Sequence, residues 1–113
     1  MATDAGFVEY IAEQAGLPRS LAWRKMFGEY ALYLDGKVVA LVCDNQLFLK
    51  PTEAGRRLLG RVDEGQPYPG AKPHLRLGDE IDQPGRLRQL LLATAEELPA
   101  PKPRKPPAKR ARG

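Results

Sequence analysis

Residues 26–50 read MFGEYALYLDGKVVALVCDNQLFLK. Three apolar-rich runs are separated by two dipeptides, Asp35-Gly36 and Asp44-Asn45. Both dipeptides tolerate positive φ, which two-residue hairpin turns need. The stretch therefore predicts three antiparallel strands. Taking both dipeptides as hairpin loops sets the register: paired residue numbers sum to 71 in the first hairpin and to 89 in the second. One face then carries Tyr30, Leu32, Val39, Leu41 and Phe48. The other carries Ala31, Tyr33, Val38, Ala40, Val42, Leu47 and Leu49. Both faces are apolar, whereas a meander standing alone keeps one face wet. Cover on both sides is expected, from helices, from curling or from a second subunit.

Outward from the strands, the flanks read as helices. Phe7, Val8, Ile11, Ala12 and Ala15 recur at helical spacing over residues 4–15. Thr3 is the expected N-cap, Asp4 suits the positive helix end, Gly16 suits the C-terminal cap, and Pro18 blocks continuation. Residues 19–25 (RSLAWRK) read as a connection or an extra helical turn. Residues 52–59 read as a short helix weakened by Gly55. Residues 60–73, with three glycines and three prolines, read as a loop. His74–Leu77 suggests a fourth, edge strand. Asp82 or Gln83 is placed to cap a last helix that starts at Pro84 and buries Leu87, Leu90, Leu91, Thr94 and Leu98, with Pro99 as its stop. The fold class expected is α+β: a three- to four-stranded antiparallel meander packed with an N-terminal and a C-terminal helix.

The chain has 113 residues and a hydrophobic fraction of 42%, which suits one packed domain. Its net charge of +4 is unevenly divided. All 14 acidic residues lie at or before Glu97, while six of the 18 basic residues follow it. Residues 1–98 are thus net −2 and residues 99–113 net +6. The tail holds five prolines and nothing that can build a core, so it is expected to be disordered and extended. Each apolar run is broken by charge or turn residues, so no membrane span is expected. Asp4 and Glu9 replace the basic start of a secretory signal. Cys43 is the only cysteine, which excludes an intrachain disulfide and suits a reducing cytoplasm.

From Trp23 to Lys50, with Phe7–Ile11 before it, the chain resembles the TfoX/Sxy N-terminal domain family. The matching residues are Met26-Phe27-Gly28, Tyr30, Leu32-Tyr33-Leu34-Asp35-Gly36-Lys37, Ala40-Leu41-Val42 and Leu47-Phe48-Leu49-Lys50. Gly65-Gln66-Pro67-Tyr68 and Asp82-Gln83-Pro84 also fit, so the resemblance spans roughly residues 6–98. Family members often have glycines where this chain has Glu29 and Ala31. Full-length competence regulators of the family carry a second, C-terminal domain where this sequence has its basic tail. The resemblance implies an α/β domain, a bacterial cytoplasmic setting, no cofactor and no known catalytic residues. It makes Met26, Phe27, Gly28, Tyr30, Asp35, Gly36 and Lys50 structural motif residues.

The side chains that could carry chemistry have plainer readings. His74 is the only histidine, and one His with one Cys falls short of the three or four protein ligands of a zinc site. Cys43 as a nucleophile with His74 as its base would need an electropositive, partly exposed setting. The register places Cys43 at a strand end beside Gln46, where a packed, inert thiol is expected. Asp35, Asp44 and Asp82 are accounted for by turns and caps. Glu29 falls beside Val42 and Leu47, where it either sits at the sheet margin in water or pairs with Arg24, Lys25 or another arginine nearby. Tyr30, Tyr33 and Phe48 could stack bases only if exposed among basic neighbours. Arg24-Lys25 and Arg56-Arg57, with Lys50, are short basic pairs that are usually just solvated. No metal or cofactor site is expected.

Two functions remain in view, neither of them enzymatic. The first is a regulatory domain that works through protein contacts, implied by the resemblance and the two-sided apolar sheet. Its partner is unnamed by the sequence, and a homodimer is expected. The second is a small DNA-associated protein held by Lys102, Arg104, Lys105, Lys109, Arg110 and Arg112. Such contact with phosphates would carry little sequence preference. The bland alternative is a tail that only solubilises.

Overall fold

The structure, a computed structural model, describes residues 3–17, 20–26 and 29–99. The motif residues Phe27 and Gly28, the helix stop Pro18 and all six tail cations lie outside the described residues. Helix α1 (Ala5–Ala15) is followed by strands β1 (Leu21–Met26), β2 (Glu29–Leu34), β3 (Lys37–Cys43) and β4 (Gln46–Leu49). Helix α2 (Glu53–Leu59), strands β5 (Glu64–Gly65) and β6 (His74–Leu77), a 3-10 turn (Asp79–Asp82) and helix α3 (Pro84–Glu97) complete the order. All strand pairs are antiparallel, in one six-stranded sheet ordered β1-β2-β3-β4-β6-β5.

The α+β class holds, with more strands than expected. Residues 21–26 form a strand, not a connection or helical turn, and they pair along their whole length with β2. β6 pairs with β4, and β5 adds two residues beyond it, so His74–Leu77 is not the edge. Both hairpin turns adopt the positive φ that the turn chemistry requires, at Asp35 (54°) and Gly36 (81°), and at Asp44 (53°) and Asn45 (57°).

The second hairpin keeps a pair sum of 89 throughout. The first keeps 71 only at Leu34↔Lys37 and Tyr33↔Val38. From Leu32↔Ala40 onward the sum is 72, because Val39 is an extra residue on β3. This bulge reassigns the faces, since a one-residue slip turns side chains over. Tyr30, Leu32, Leu34, Val39, Ala40, Val42, Leu47, Leu49, Leu75 and Leu77 share the inner face and are buried. Ala31, Tyr33, Val38, Leu41, Cys43 and Phe48 share the outer face. Tyr30 and Phe48, expected together, lie on opposite sides.

The helices gather on the inner face. Val8, Ile11 and Ala15 of α1 and Leu87, Leu90, Leu91 and Ala95 of α3 pack with the inner strand residues in one core. Thr94 is buried in the same stripe, while Leu98 is only partly buried. The N-cap of α1 is Asp4, whose carboxylate accepts from Gly6 N–H (3.0 Å), not Thr3. Gly16 closes α1 in the left-handed region (φ 66°). Gln83 occupies the cap position of α3 without a side-chain cap bond, and Asp82 instead accepts from the Tyr10 hydroxyl (2.5 Å).

α2 starts with Thr52, whose hydroxyl accepts from Gly55 N–H (3.0 Å). Glu97, at the end of α3, reinforces that start: its carboxylate accepts from the N–H groups of Glu53 (3.0 Å) and Ala54 (2.8 Å). Gly55 serves closeness, not weakness. A Cβ there would lie 3.2 Å from Leu75 Cδ1 and 3.3 Å from Leu49 Cδ2.

Candidate functional site

Cys43 and His74 do not meet. Cys43 pairs with Gln46 at one end of β4. Continuing the β4–β6 register sets His74 across from Lys50, four residues further along. At about 3.3 Å of rise per residue, that separates them by about 13 Å along the strand direction. The Cys43 thiol is buried and pushed up to about 11 by desolvation and by the nearby Glu29 and Asp44 carboxylates. It is a protonated, poor nucleophile at neutral pH.

His74 is buried on β6. Its Nδ1 lies 2.7 Å from the Lys72 carbonyl oxygen, so Nδ1 carries the proton and donates. Nε2 is then an acceptor, buried without a protein partner. Burial lowers the pKa, the Lys72 bond opposes this, and nearby Lys50 adds to the lowering. His74 is thus a neutral structural residue. Among the described residues, no group of three or more His, Cys, Asp or Glu gathers as a metal site would require.

The pair sum of 71 places Glu29 beside Val42, in water or paired with a cation. The bulge moves it next to Cys43. There its half-buried carboxylate accepts from the Thr3 hydroxyl and from Asp44 N–H (3.1 Å). Thr3 lies 3.3 Å from the Val42 carbonyl and accepts from Asn45 N–H (3.3 Å), while Asn45 Oδ1 accepts from Asp4 N–H (2.9 Å). This network ties the start of α1 to the β3–β4 turn. Sequence reasoning missed it because its donors are mostly backbone groups, brought together only by the register.

The basic pairs stay apart. Arg24 and Lys25 are exposed on β1, at one sheet edge. Lys50 follows β4, three strands away, or about 14 Å at the usual spacing. Arg56 is paired with Glu64 (2.6 Å) and Arg57 with Glu53 (3.9 Å). Arg76, on the outer face, forks onto Asp63 (3.0 and 3.1 Å).

The outer face is covered at one end only. The loop after β5 lies over Phe48: Pro67 is buried, Gln66 Nε2 donates to the Ala71 carbonyl (2.8 Å), and a Cβ at Gly65 would stand 3.2 Å from the Phe48 ring. Over β1–β3 no helix among the described residues lies on this side, and Tyr33, Val38 and Leu41 are half-buried. Of the other motif residues, Tyr30 is core, Asp35-Gly36 is the turn, and Lys50 leads from β4 toward the α2 cap.

These features define a small α+β domain in which Asp4, Glu29, Thr52, His74 and Glu97 serve caps and structural bonds. The chain belongs to the TfoX N-terminal domain family, whose model matches residues 16–98. This is a non-catalytic family of regulatory, competence-related domains. The chain is also 49% identical over 105 residues to an uncharacterized 12.7 kDa protein in the trpE 5′ region of Spirochaeta aurantia. The match covers 93% of this chain and 91% of that protein. No helix among the described residues is long and apolar enough to cross a membrane.

Proposed function

We propose that the protein is a non-enzymatic regulatory domain that acts in the bacterial cytoplasm by contacting another protein, in transcription-related control of competence. The observation that carries this reading is its membership of the TfoX N-terminal domain family, together with an outer sheet face that no helix among the described residues covers. Cys43 and His74, the two most reactive side-chain types present, are far apart, and both are structurally engaged.

A pull-down from the source cell, with and without nuclease, tests the reading. A partner retained after nuclease treatment and after deletion of residues 99–113 supports it. Retention that vanishes with either treatment overturns it. Sedimentation shows whether that partner is a second copy: a clean monomer at high micromolar concentration removes the homodimer.

The +6 charge of residues 99–113 favours a second reading, non-specific contact with DNA. If all six cations met phosphate, log K would fall with log salt at a slope of about −5. A slope near zero for the intact chain eliminates this reading.

A further inference from the structure

We propose that the outer edge of β1, which no strand among the described residues pairs with, is a strand-addition site for an extended peptide that carries two adjacent acidic residues. The proposal rests on reading the protein as a contact domain. It fails separately, because a partner that docks elsewhere removes this site and leaves that reading intact.

The two edges of the sheet differ. One ends in β5, a strand of two residues. Short strands are a common way to blunt an edge. The other ends in β1, six residues long, with unbroken register to β2 and no proline. Ala22, Trp23, Arg24 and Lys25 are exposed in succession.

The backbone direction follows from one bond. Asp35 N–H donates to the Ser20 carbonyl (3.4 Å), continuing the β1–β2 pairing beyond Leu21↔Leu34. In an antiparallel pair, bonded and non-bonded positions alternate. Residues 20, 22, 24 and 26 therefore turn their backbone groups toward β2, and residues 21, 23 and 25 turn theirs away. Leu21 N–H is already bonded to the Leu17 carbonyl (2.9 Å). Trp23 and Lys25 are left with outward N–H and C=O groups, the ladder on which an added strand pairs.

Charge selects the occupant. Arg24 and Lys25 are neighbours along a strand, so their side chains lie on opposite faces. Neither forms an ion pair among the described residues. An incoming strand with consecutive acidic residues would place one carboxylate beside each cation, and opposite-charge cross-strand pairs are favourable. A second copy fits less well. The register that uses both outward residues pairs Trp23 with Lys25 of the other copy, and this sets the two Arg24 side chains face to face.

A hollow of about 550 Å³ beside the edge, lined by Ser20, Ala22, Trp23, Arg24 and Tyr33, offers room for an apolar side chain next to the acidic pair. Asp35 closes the end toward the β2–β3 turn, so the acidic group belongs at the Arg24 end.

The probe is the peptide acetyl-Thr-Val-Glu-Glu-Val-Thr-amide, titrated into the full chain. Trp23 is the only tryptophan, so its fluorescence reports this edge directly. The expected result is a saturable change, with slowed amide exchange at Trp23 and Lys25. Methylating alternate backbone nitrogens of the peptide should abolish binding. The R24E/K25E double variant should weaken it by about tenfold or more, the worth of about 1.4 kcal/mol. Lys25→Pro removes an outward N–H while leaving the β2 ladder intact, and it should weaken binding with the circular dichroism unchanged. No fluorescence change up to millimolar peptide overturns the proposal. So does equal binding of the methylated peptide, which would mark charge attraction without strand pairing. Self-association that the charge reversal alters would assign the edge to a second copy and also overturn it.

Discussion

The two faces of the sheet are made of similar residues and live in different surroundings. On the inner face, Leu32, Leu34, Val42, Leu47 and Leu49 are fully buried beneath helices. On the outer face, Tyr33, Val38 and Leu41 are half-buried, while Phe48 and Cys43, toward the loop end, and the small Ala31 between its neighbours are buried. Apolar character alone therefore does not say which side of a sheet is core. Helix placement decides it, and here all three helices among the described residues lie on one side.

The sharpest way to break this comparison is a pair of truncations. Leu47→Ala should destabilise the fold by about 2–5 kcal/mol, since a buried leucine loses both burial and packing. Leu41→Ala, across the sheet, should cost about 1 kcal/mol or less, because its side chain is half-exposed already. Urea unfolding of both variants at two protein concentrations checks this. If Leu41→Ala costs as much as Leu47→Ala, and the cost depends on concentration, the outer face is covered by a second copy.

The close approach of α2 to the inner face provides the next test. Gly55→Val would press a branched side chain against Leu49 and Leu75, for a loss of about 1–3 kcal/mol. Thermal unfolding should show the lower midpoint with native-like circular dichroism at 20 °C or below. A Thr52→Ala variant removes the cap bond to Gly55 N–H and should cost about 1 kcal/mol by the same measurement.

Acidification should produce the smallest effect, in two steps of the same sign. Burial lowers the pKa of His74, so the unfolded chain takes up that proton first. Stability is full above the ordinary histidine value of about 6.5 and falls as pH drops through and below it. The N–H groups of Ala54 and Glu53 hold Glu97 below the ordinary glutamate range, so its contribution is lost further down, below about pH 4.3. Urea midpoints should hold level from pH 8 to about 6.5 and then decline in two steps toward pH 3. The His74→Gln variant should lose the upper step and keep the lower one.

The central hairpins were legible because Asp35-Gly36 and Asp44-Asn45 carry their own turn chemistry. The Val39 bulge was not: no glycine or proline marks it, and valine on either side of the slip satisfies the alternation equally well. β1 was hidden for a different reason. Its cations suit a solvent-facing edge but look like a connector in a linear reading, and its partner strand is the only thing that makes it a strand. The sparseness of reactive side chains could be read from the single His and single Cys. The Thr3–Glu29–Asn45 network and the outward groups of Trp23 and Lys25 could not, because backbone donors and acceptors have no residue letter.

The last turn of α3 holds two other elements. Lys37 donates to the Ala95 carbonyl (2.6 Å), tying in the β2–β3 hairpin, and Glu97 grips the beginning of α2. A load applied to the chain just past this turn, such as an affinity handle or an immobilised surface, would be felt at the hairpin and at α2 together. Attachment through the exposed side of α1 would spare that junction.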